Sequence, residues 1–174
     1  MKELPWPYTL PIWRRFYRAA SPDGKRVAQI DPAVEVSMGN PTLGLLCVAG
    51  GPHIEKCNPS FVWSDDSRYL AVPQYFGFFG RQRVLILSFE EKRVYASKER
   101  AWYFQPESFS GGQLVVTINP FRSPRSHGDL IWTRQTEEWV KANPPPVLTF
   151  QIPSELSARF TRLSRVYWPK SSAP

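Results

Sequence analysis

The chain has little of the side-chain chemistry that most catalytic and metal sites use. Its 174 residues include two cysteines, two histidines and two methionines. Two cysteines are too few for a disulfide framework, and two histidines are too few for a typical zinc site. Cys47 and Cys57 flank a Gly-Gly-Pro turn, so two interpretations stay open: a cross-strand disulfide, or two buried free thiols.

Several motif classes are also absent. Neither histidine lies in a recognisable Ser-His-Asp setting, and the Gly50-Gly51 pair lacks the Lys-Ser/Thr that follows a phosphate-binding loop. No apolar run approaches the ~20 residues of a membrane-spanning helix, and the first residues show no secretory signal. We therefore expect a cytoplasmic, non-enzymatic protein without a cofactor or a metal.

Aromatic residues and proline are abundant instead. The chain has seven Trp, seven Tyr, eleven Phe and 18 Pro, a composition typical of short strands joined by turns. The net charge of +7 is concentrated at the ends, since residues 1–20 and 153–174 each carry four positive groups and one negative group. An acidic partner would be attracted mainly to these ends, and salt would weaken that attraction.

A turn-and-strand octapeptide recurs along the chain. Residues 21–28 read SPDGKRVA, residues 64–71 read SDDSRYLA, and a more divergent copy at residues 108–115 reads SFSGGQLV. A spacing in the low forties is typical of β-propeller blades. The expected units are 1–12 as an N-terminal extension, 13–57, 58–104 and 105–142 as repeats, 147–152 as an extra strand and 154–168 as a helix, all in one domain.

These octapeptides, each with an aromatic strand before it and an apolar strand after it, resemble the repeats of TolB-type and WD-type β-propellers. The resemblance covers about residues 13–142 and implies a scaffold that presents loops to a partner. Propellers usually have four to eight blades, whereas this chain has three copies. We therefore expect a mostly β fold of three propeller-like antiparallel sheets closed by the C-terminal helix, as a monomer or as a homodimer that completes a ring; a β-sandwich is the alternative.

The C-terminal helix is expected from the spacing of its residues. Leu156, Phe160 and Leu163 recur at helical spacing after Ser154, a residue type preferred at the N-cap. The same spacing predicts a basic stripe on this helix, which consists of Arg159, Arg162 and Arg165.

The loops between the second and third strands of the repeats are the best candidates for a binding surface, because aromatic residues beside arginine are typical of interface hot spots. The alternative is that Phe76, Phe78 and Phe79 fold inward and fill the core. Together with the basic stripe, the candidate partner-binding residues are Tyr75, Phe76, Phe78, Phe79, Arg81, Phe121, Arg122, Arg125, Arg159, Arg162 and Arg165.

The sequence therefore predicts a protein-binding module for a partner with an acidic surface. Its small size and lack of a catalytic motif favour a toxin-neutralising (immunity) protein. The alternative is a nucleic-acid-binding protein that acts through its basic ends, where Arg14, Arg15 and Arg18 alternate with aromatic residues.

Overall fold

The computed structural model describes residues 17–31, 33–35, 42–77, 81–118, 147–152, 154–163, 166 and 168. Within these residues strands predominate, the pairing is antiparallel and the helix is limited to one turn, which confirms the expected mostly β class. The elements are β1 (Tyr17–Ala20), β2 (Val27–Ile30), β3 (Val34–Glu35), β4 (Thr42–Val48), β5 (His53–Cys57), β6 (Val62–Trp63), β7 (Tyr69–Phe76), β8 (Arg81–Ser88), β9 (Arg93–Ser97), β10 (Phe104–Ser110), β11 (Gln113–Ile118), β12 (Val147–Gln151), α1 (Leu156–Arg159) and β13 (Phe160–Arg162).

The described strands form two sheets. Ten strands make one sheet with the order β1-β2-β4-β5-β7-β8-β9-β13, in which β3 also pairs with β4 and β6 with β7. The second sheet has the order β10-β11-β12. Within the first sheet, β5 and β7 share a single residue pair, Cys57 with Gln74, so the β1–β5 part and the β6–β9 part are joined by a narrow connection.

The hairpin of β7 and β8 is buried on both faces. Side chains alternate across a strand, so Leu70 and Val72 enter one hydrophobic core while Tyr69 and Ala71 enter another. Burial on both sides explains why this hairpin has near-continuous apolar runs rather than a strict apolar–polar alternation.

The first core lies between the β1–β5 and β6–β9 parts of the large sheet. Trp63 is fully buried there, packs on Phe89 with ring centroids 5.2 Å apart, and donates its indole N–H to the Ala19 carbonyl at 3.2 Å. The second core lies between the β6–β9 part and the small sheet, and contains Phe104, Phe109 and Phe150. The sheets are thus stacked face to face, an arrangement also found in a β-sandwich.

The turns at Ser21 and Ser64 have the same hydrogen-bonding pattern. The Ser64 hydroxyl donates to the Asp66 carboxylate at 2.6 Å and accepts from the Tyr69 backbone N–H at 2.8 Å. The Ser21 hydroxyl makes the equivalent bonds with Asp23, at 2.6 Å, and with the Arg26 N–H, at 3.0 Å. The carboxylates of Asp23 and Asp66 therefore stabilise their own turns through hydrogen bonds, as the Ser-x-Asp spacing indicates.

Successive turns also contact one another. The Asp23 backbone N–H donates to the Ser67 hydroxyl at 3.0 Å. The Asp65 carboxylate accepts hydrogen bonds from the Ser110 hydroxyl at 3.0 Å and from the Gly111 N–H at 2.6 Å. These bonds align the three turns at one end of the stacked sheets.

The third octapeptide does not form this turn, so the expectation that Ser108 would be equivalent to Ser21 and Ser64 was wrong. Ser108 lies within β10 and pairs with Val115, and the chain reverses through Gly111 and Gly112 alone. Both glycines have positive φ, as a two-residue hairpin turn requires, and no aspartate is present to accept a hydrogen bond from Ser108.

The predicted helix over 154–168 was also wrong. α1 is a single turn, and the chain continues as β13, which pairs with β9 at Phe160 and Ser97. The edge of β9 that faces away from β8 supplies backbone hydrogen-bonding partners for β13, and the helical spacing of the sequence does not reveal them. The predicted basic helix stripe is therefore not formed by Arg159 and Arg162, since Arg162 lies in β13; Arg165 lies outside the described residues.

The two cysteines are free thiols. Cys47 in β4 is opposite His53 of β5, whereas Cys57 is opposite Gly44, so the cysteines are not cross-strand partners. The possible disulfide is thereby excluded, and burial raises the pKa of the Cys57 thiol far above its usual range. The predicted extra strand at 147–152 corresponds to β12, which pairs with β11.

Candidate binding surface

The predicted binding residues fall into three groups. Tyr75 and Phe76 end β7, and Arg81 begins β8. Arg159 ends α1 and Arg162 ends β13. The remaining residues, namely Phe78, Phe79, Phe121, Arg122, Arg125 and Arg165, lie outside the described residues.

Phe76 lies at the centre of an exposed cluster of cationic and aromatic side chains. Phe76 is 48% exposed, and the guanidinium carbons of Arg83 and Arg100 lie 4.5 Å and 5.0 Å from its ring centroid. The register explains the first contact: Gln74 is opposite Arg83, and Phe76 follows Gln74 on the same face of β7. Each such cation–π contact contributes about 0.5–1 kcal/mol at an exposed site.

Arg81 and Trp102 extend this cluster. Arg81 is the cross-strand partner of Phe76, and its guanidinium carbon lies 5.7 Å from the centroid of Trp102, which is 44% exposed. We call Phe76, Arg81, Arg83, Arg100 and Trp102 the aromatic–arginine surface.

The segment that carries Trp102 is fixed to the start of β8 by hydrogen bonds. Gln82 and Ala101 exchange two backbone bonds, of 2.7 Å and 3.2 Å, and the Gln82 side-chain oxygen accepts the Phe104 N–H at 2.9 Å. Gln82 itself is fully buried. The aromatic–arginine surface is therefore built on a preorganised frame, which lowers the entropy cost of binding.

The surface is strongly cationic. Among the described residues, no ion pair joins a carboxylate to Arg81, Arg83 or Arg100. Arg83 instead donates two hydrogen bonds to the side-chain oxygen of Gln74, at 2.9 Å and 2.7 Å. Burial, together with the nearby charge of Arg100, lowers the pKa of Arg83. A carboxylate binding here would relieve that repulsion.

Tyr75 is on the other face of β7 from Phe76, because successive side chains alternate. Burial raises the pKa of Tyr75 to about 12, and a hydrogen bond with the Gln82 side chain partly opposes the increase. Tyr75 therefore supports the frame from within, and the half-exposed Phe76 is not a core residue.

Arg159 has a structural position. Its Nε donates to the Glu99 carboxylate at 2.9 Å, its Nη1 donates to the Thr149 carbonyl at 3.1 Å, and its guanidinium carbon lies 4.3 Å from the centroid of Phe150. These contacts connect α1 to β12 and to the segment after β9. The guanidinium is thus already engaged within the chain.

Sequence reasoning missed Arg83, Arg100 and Trp102. The alternation of Arg81, Gln82 and Arg83 before an apolar run did mark an exposed strand end. Arg100 and Trp102 carried no such signal, because their contact with β8 depends on the pairing of Gln82 with Ala101.

The described residues contain no group of three or more His, Cys, Asp or Glu side chains that could hold a metal ion. Among them, no helix is long and apolar enough to cross a membrane. Comparisons of the chain with protein-family models, with curated proteins and with solved structures found no match.

Proposed function

We propose that this chain is a non-enzymatic protein-binding module, and that the aromatic–arginine surface binds an acidic segment of its partner. The observation that carries the proposal is the position of three arginines around two half-exposed rings without an ion-paired carboxylate among the described residues. Arginine and tryptophan are enriched in interface hot spots, and the guanidinium fork matches a carboxylate.

A protein carboxylate suits this surface better than single-stranded nucleic acid. Bases need an aromatic face on which to stack, and two guanidinium groups already lie over the Phe76 ring. The basic helix stripe that favoured nucleic acid is not formed by Arg159 and Arg162. The experiment below therefore tests binding of nucleic acid separately from binding of a protein partner.

The matching turns at Ser21 and Ser64 support a further architectural proposal. We propose that the β1–β5 and β6–β9 parts of the large sheet are copies of one propeller-like unit, and that the small sheet is a divergent third copy. Their turns lie at one end of the stack and contact one another. The described residues do not close a ring.

The form of partner binding that we propose to test first is toxin neutralisation, in which the chain occludes a toxic protein encoded beside it. Co-expression with the product of the adjacent reading frame tests this. Relief of growth arrest by the wild-type chain supports it, and arrest that continues despite equal expression contradicts it.

The binding surface itself is tested by charge neutralisation. A triple variant with Arg81→Gln, Arg83→Gln and Arg100→Gln should lower the affinity for the partner at least about thirtyfold, which corresponds to one hot spot of 2 kcal/mol. The matched control has Lys25→Gln, Lys92→Gln and Arg93→Gln, three exposed positions away from the surface, and removes the same charge. Affinity is measured by calorimetry, and thermal melts check folding.

An equal loss of affinity in both triple variants would mean that only net charge matters, and would contradict the proposed surface. Binding of an oligothymidylate by the wild-type chain but not by the surface variant would reassign the surface to nucleic acid. Because Arg83 is partly buried, the single variants Arg81→Gln and Arg100→Gln keep the test valid if the triple variant does not fold.

A further inference from the structure

The aromatic–arginine surface continues the sheet face that forms the first core. Leu70 and Val72 of β7 and Leu85 of β8 belong to that core. Because side chains alternate along a strand, Phe76 and Arg83 lie on the same face, two or more positions further along. Phe76 is exposed and Arg83 is half-buried, so this end of the face can contact a partner.

Strand pairing arranges the outward-facing side chains in two rows. Gln82 and Ala101 form an antiparallel pair and both are buried, so the residues on either side of this pair face the opposite way. The resulting rows are Phe76, Arg81 and Trp102, which we call the aromatic row, and Gln74, Arg83 and Arg100, which we call the arginine row.

The spacing of these rows follows from sheet geometry. The aromatic row and the arginine row are two residues apart along each strand, which is about 7 Å. Members of one row lie on adjacent segments of chain, so Phe76 and Trp102 are about 10 Å apart across the sheet. The contact of Arg81 with Trp102, and the effect of the Arg100 charge on the pKa of Arg83, agree with this register.

The arginine row can bind a carboxylate. Arg83 donates to Gln74 through Nε and Nη2, and Arg100 donates through Nη1 to the carbonyl oxygens of Ser97 and Glu99. These bonds hold both guanidinium groups in place. A guanidinium has five N–H donors, so donors remain on both arginines for a bound carboxylate.

The aromatic row can bind a ring. Among the described residues, two guanidinium groups lie near Phe76, whereas one, that of Arg81, lies near Trp102. Arg81 is exposed and Trp102 is 44% exposed. A ring from a partner can therefore stack on the Arg81 guanidinium and pack against the indole of Trp102.

We propose that the aromatic–arginine surface recognises an extended acidic segment in which a carboxylate residue and an aromatic residue are two positions apart. This inference rests on the proposed function and adds the order of side chains in the partner. In an extended chain such residues lie on one face about 7 Å apart, so the carboxylate reaches the arginine row while the ring reaches the aromatic row. In a helix, residues two positions apart do not face the same way.

Three acetylated and amidated peptides test the spacing on the full wild-type chain. The in-phase peptide repeats Glu-Ser-Tyr-Ser three times, the out-of-phase peptide repeats Glu-Tyr-Ser-Ser, and the tyrosine-free peptide repeats Glu-Ser-Ser-Ser. The first two have the same composition and charge, but only the in-phase peptide has its glutamates and tyrosines on one face when extended. Fluorescence anisotropy of labelled peptides at low ionic strength gives the dissociation constants.

We expect the in-phase peptide to bind at least about fivefold more tightly than the out-of-phase peptide, as one added ring contact on an arginine and a tryptophan would give. Trp102→Ala should bring the two dissociation constants together without changing the affinity for the tyrosine-free peptide. Arg100→Gln should weaken binding of all three. The matched control is Val34→Ala, which removes another exposed apolar side chain, on β3, and should change none of the affinities.

The outcomes separate this inference from the proposed function. Equal affinity for the in-phase and out-of-phase peptides would overturn the spacing, while binding of either would still support an acidic partner. Tighter binding of the out-of-phase peptide, whose tyrosines are three positions before the next glutamate, would indicate a helical segment and would also overturn it. Absence of binding by all three peptides would contradict both proposals. The comparison on the wild-type chain is decisive even if a variant does not fold.

Discussion

Replacement of each octapeptide serine by alanine tests how far the internal similarity of the sequence extends into the structure. Ser64 is 1% exposed, and its hydroxyl bonds Asp66 and the Tyr69 N–H. Alanine would remove both bonds and leave a buried N–H without this acceptor. Such a loss costs about 1–3 kcal/mol for an unsatisfied buried group, so we expect Ser64→Ala to lower the free energy of unfolding by about 2–3 kcal/mol.

The other two serines serve as internal comparisons. Ser21 makes the equivalent bonds, but its N–H partner, Arg26, is only half-buried, so Ser21→Ala should cost about 1–2 kcal/mol. Ser108 is exposed on β10, so Ser108→Ala should stay within about 0.5 kcal/mol of the wild type.

Urea unfolding followed by tryptophan fluorescence measures all three variants. In a chain of this size 1 kcal/mol shifts the melting temperature by about 2–4 °C, so Ser64→Ala should melt about 4–12 °C below the wild type. If Ser64→Ala and Ser108→Ala lower the free energy of unfolding equally, the turn hydrogen bonds do not determine the loss of stability, and the assignment of their role is refuted.

Two further predictions concern Gly112, which is compared with Gly24, and the carboxylate of Asp65. In urea unfolding, Gly112→Ala should destabilise the chain by at least about 1 kcal/mol more than Gly24→Ala. Both glycines have positive φ, so alanine is strained at either position. A Cβ at Gly112 would also lie 2.7 Å from the backbone oxygen of Ile152, whereas the space around Gly24 is open. Similar losses would show that the Gly112 hairpin adjusts easily. The Asp65 carboxylate accepts the Gly111 N–H, which lowers the pKa of Asp65 in the folded chain. Its ionised form therefore contributes stability that is complete above the unfolded pKa of about 3.9 and is lost as the pH falls through the folded pKa. The stability difference between wild type and Asp65→Asn, measured by urea unfolding from pH 7 to pH 3, should shrink towards the acid end; a constant difference would contradict this assignment.

The strands of the second repeat, residues 58–104, could be predicted because their signal is local. β7 and β8 contain the apolar and β-branched runs that suit a buried hairpin, and the turn before β7 contains the Ser-x-Asp spacing that closes its own hydrogen bonds. The third octapeptide differs from the first two in its sequence as well, because Ser110 occupies the position of the aspartate that accepts the serine hydroxyl.

The C-terminal helix shows where local reasoning is overridden. Leu156 and Phe160 have helical spacing, yet both enter the second core from a one-turn helix and a short strand. The edge of β9 offers Ser97 and its neighbours as backbone partners, and this pairing depends on a strand far away in the sequence. Secondary-structure propensity is a weak preference that such tertiary pairing readily overrides.

The sequence alone determined the β class, through its short apolar and β-branched runs. It also determined the two Ser-x-Asp turns, because the hydrogen bonds of each turn join residues no more than five positions apart. Tertiary structure decided which charged and aromatic side chains share a surface. Phe76 contacts Arg100 through strand pairing and the Gln82–Ala101 bridge, and Arg18, Gln29, Cys47 and His53 form a row only because four strands align in register. Such alignments are set by which faces are buried together in the cores, and that depends on the whole chain rather than on any one segment.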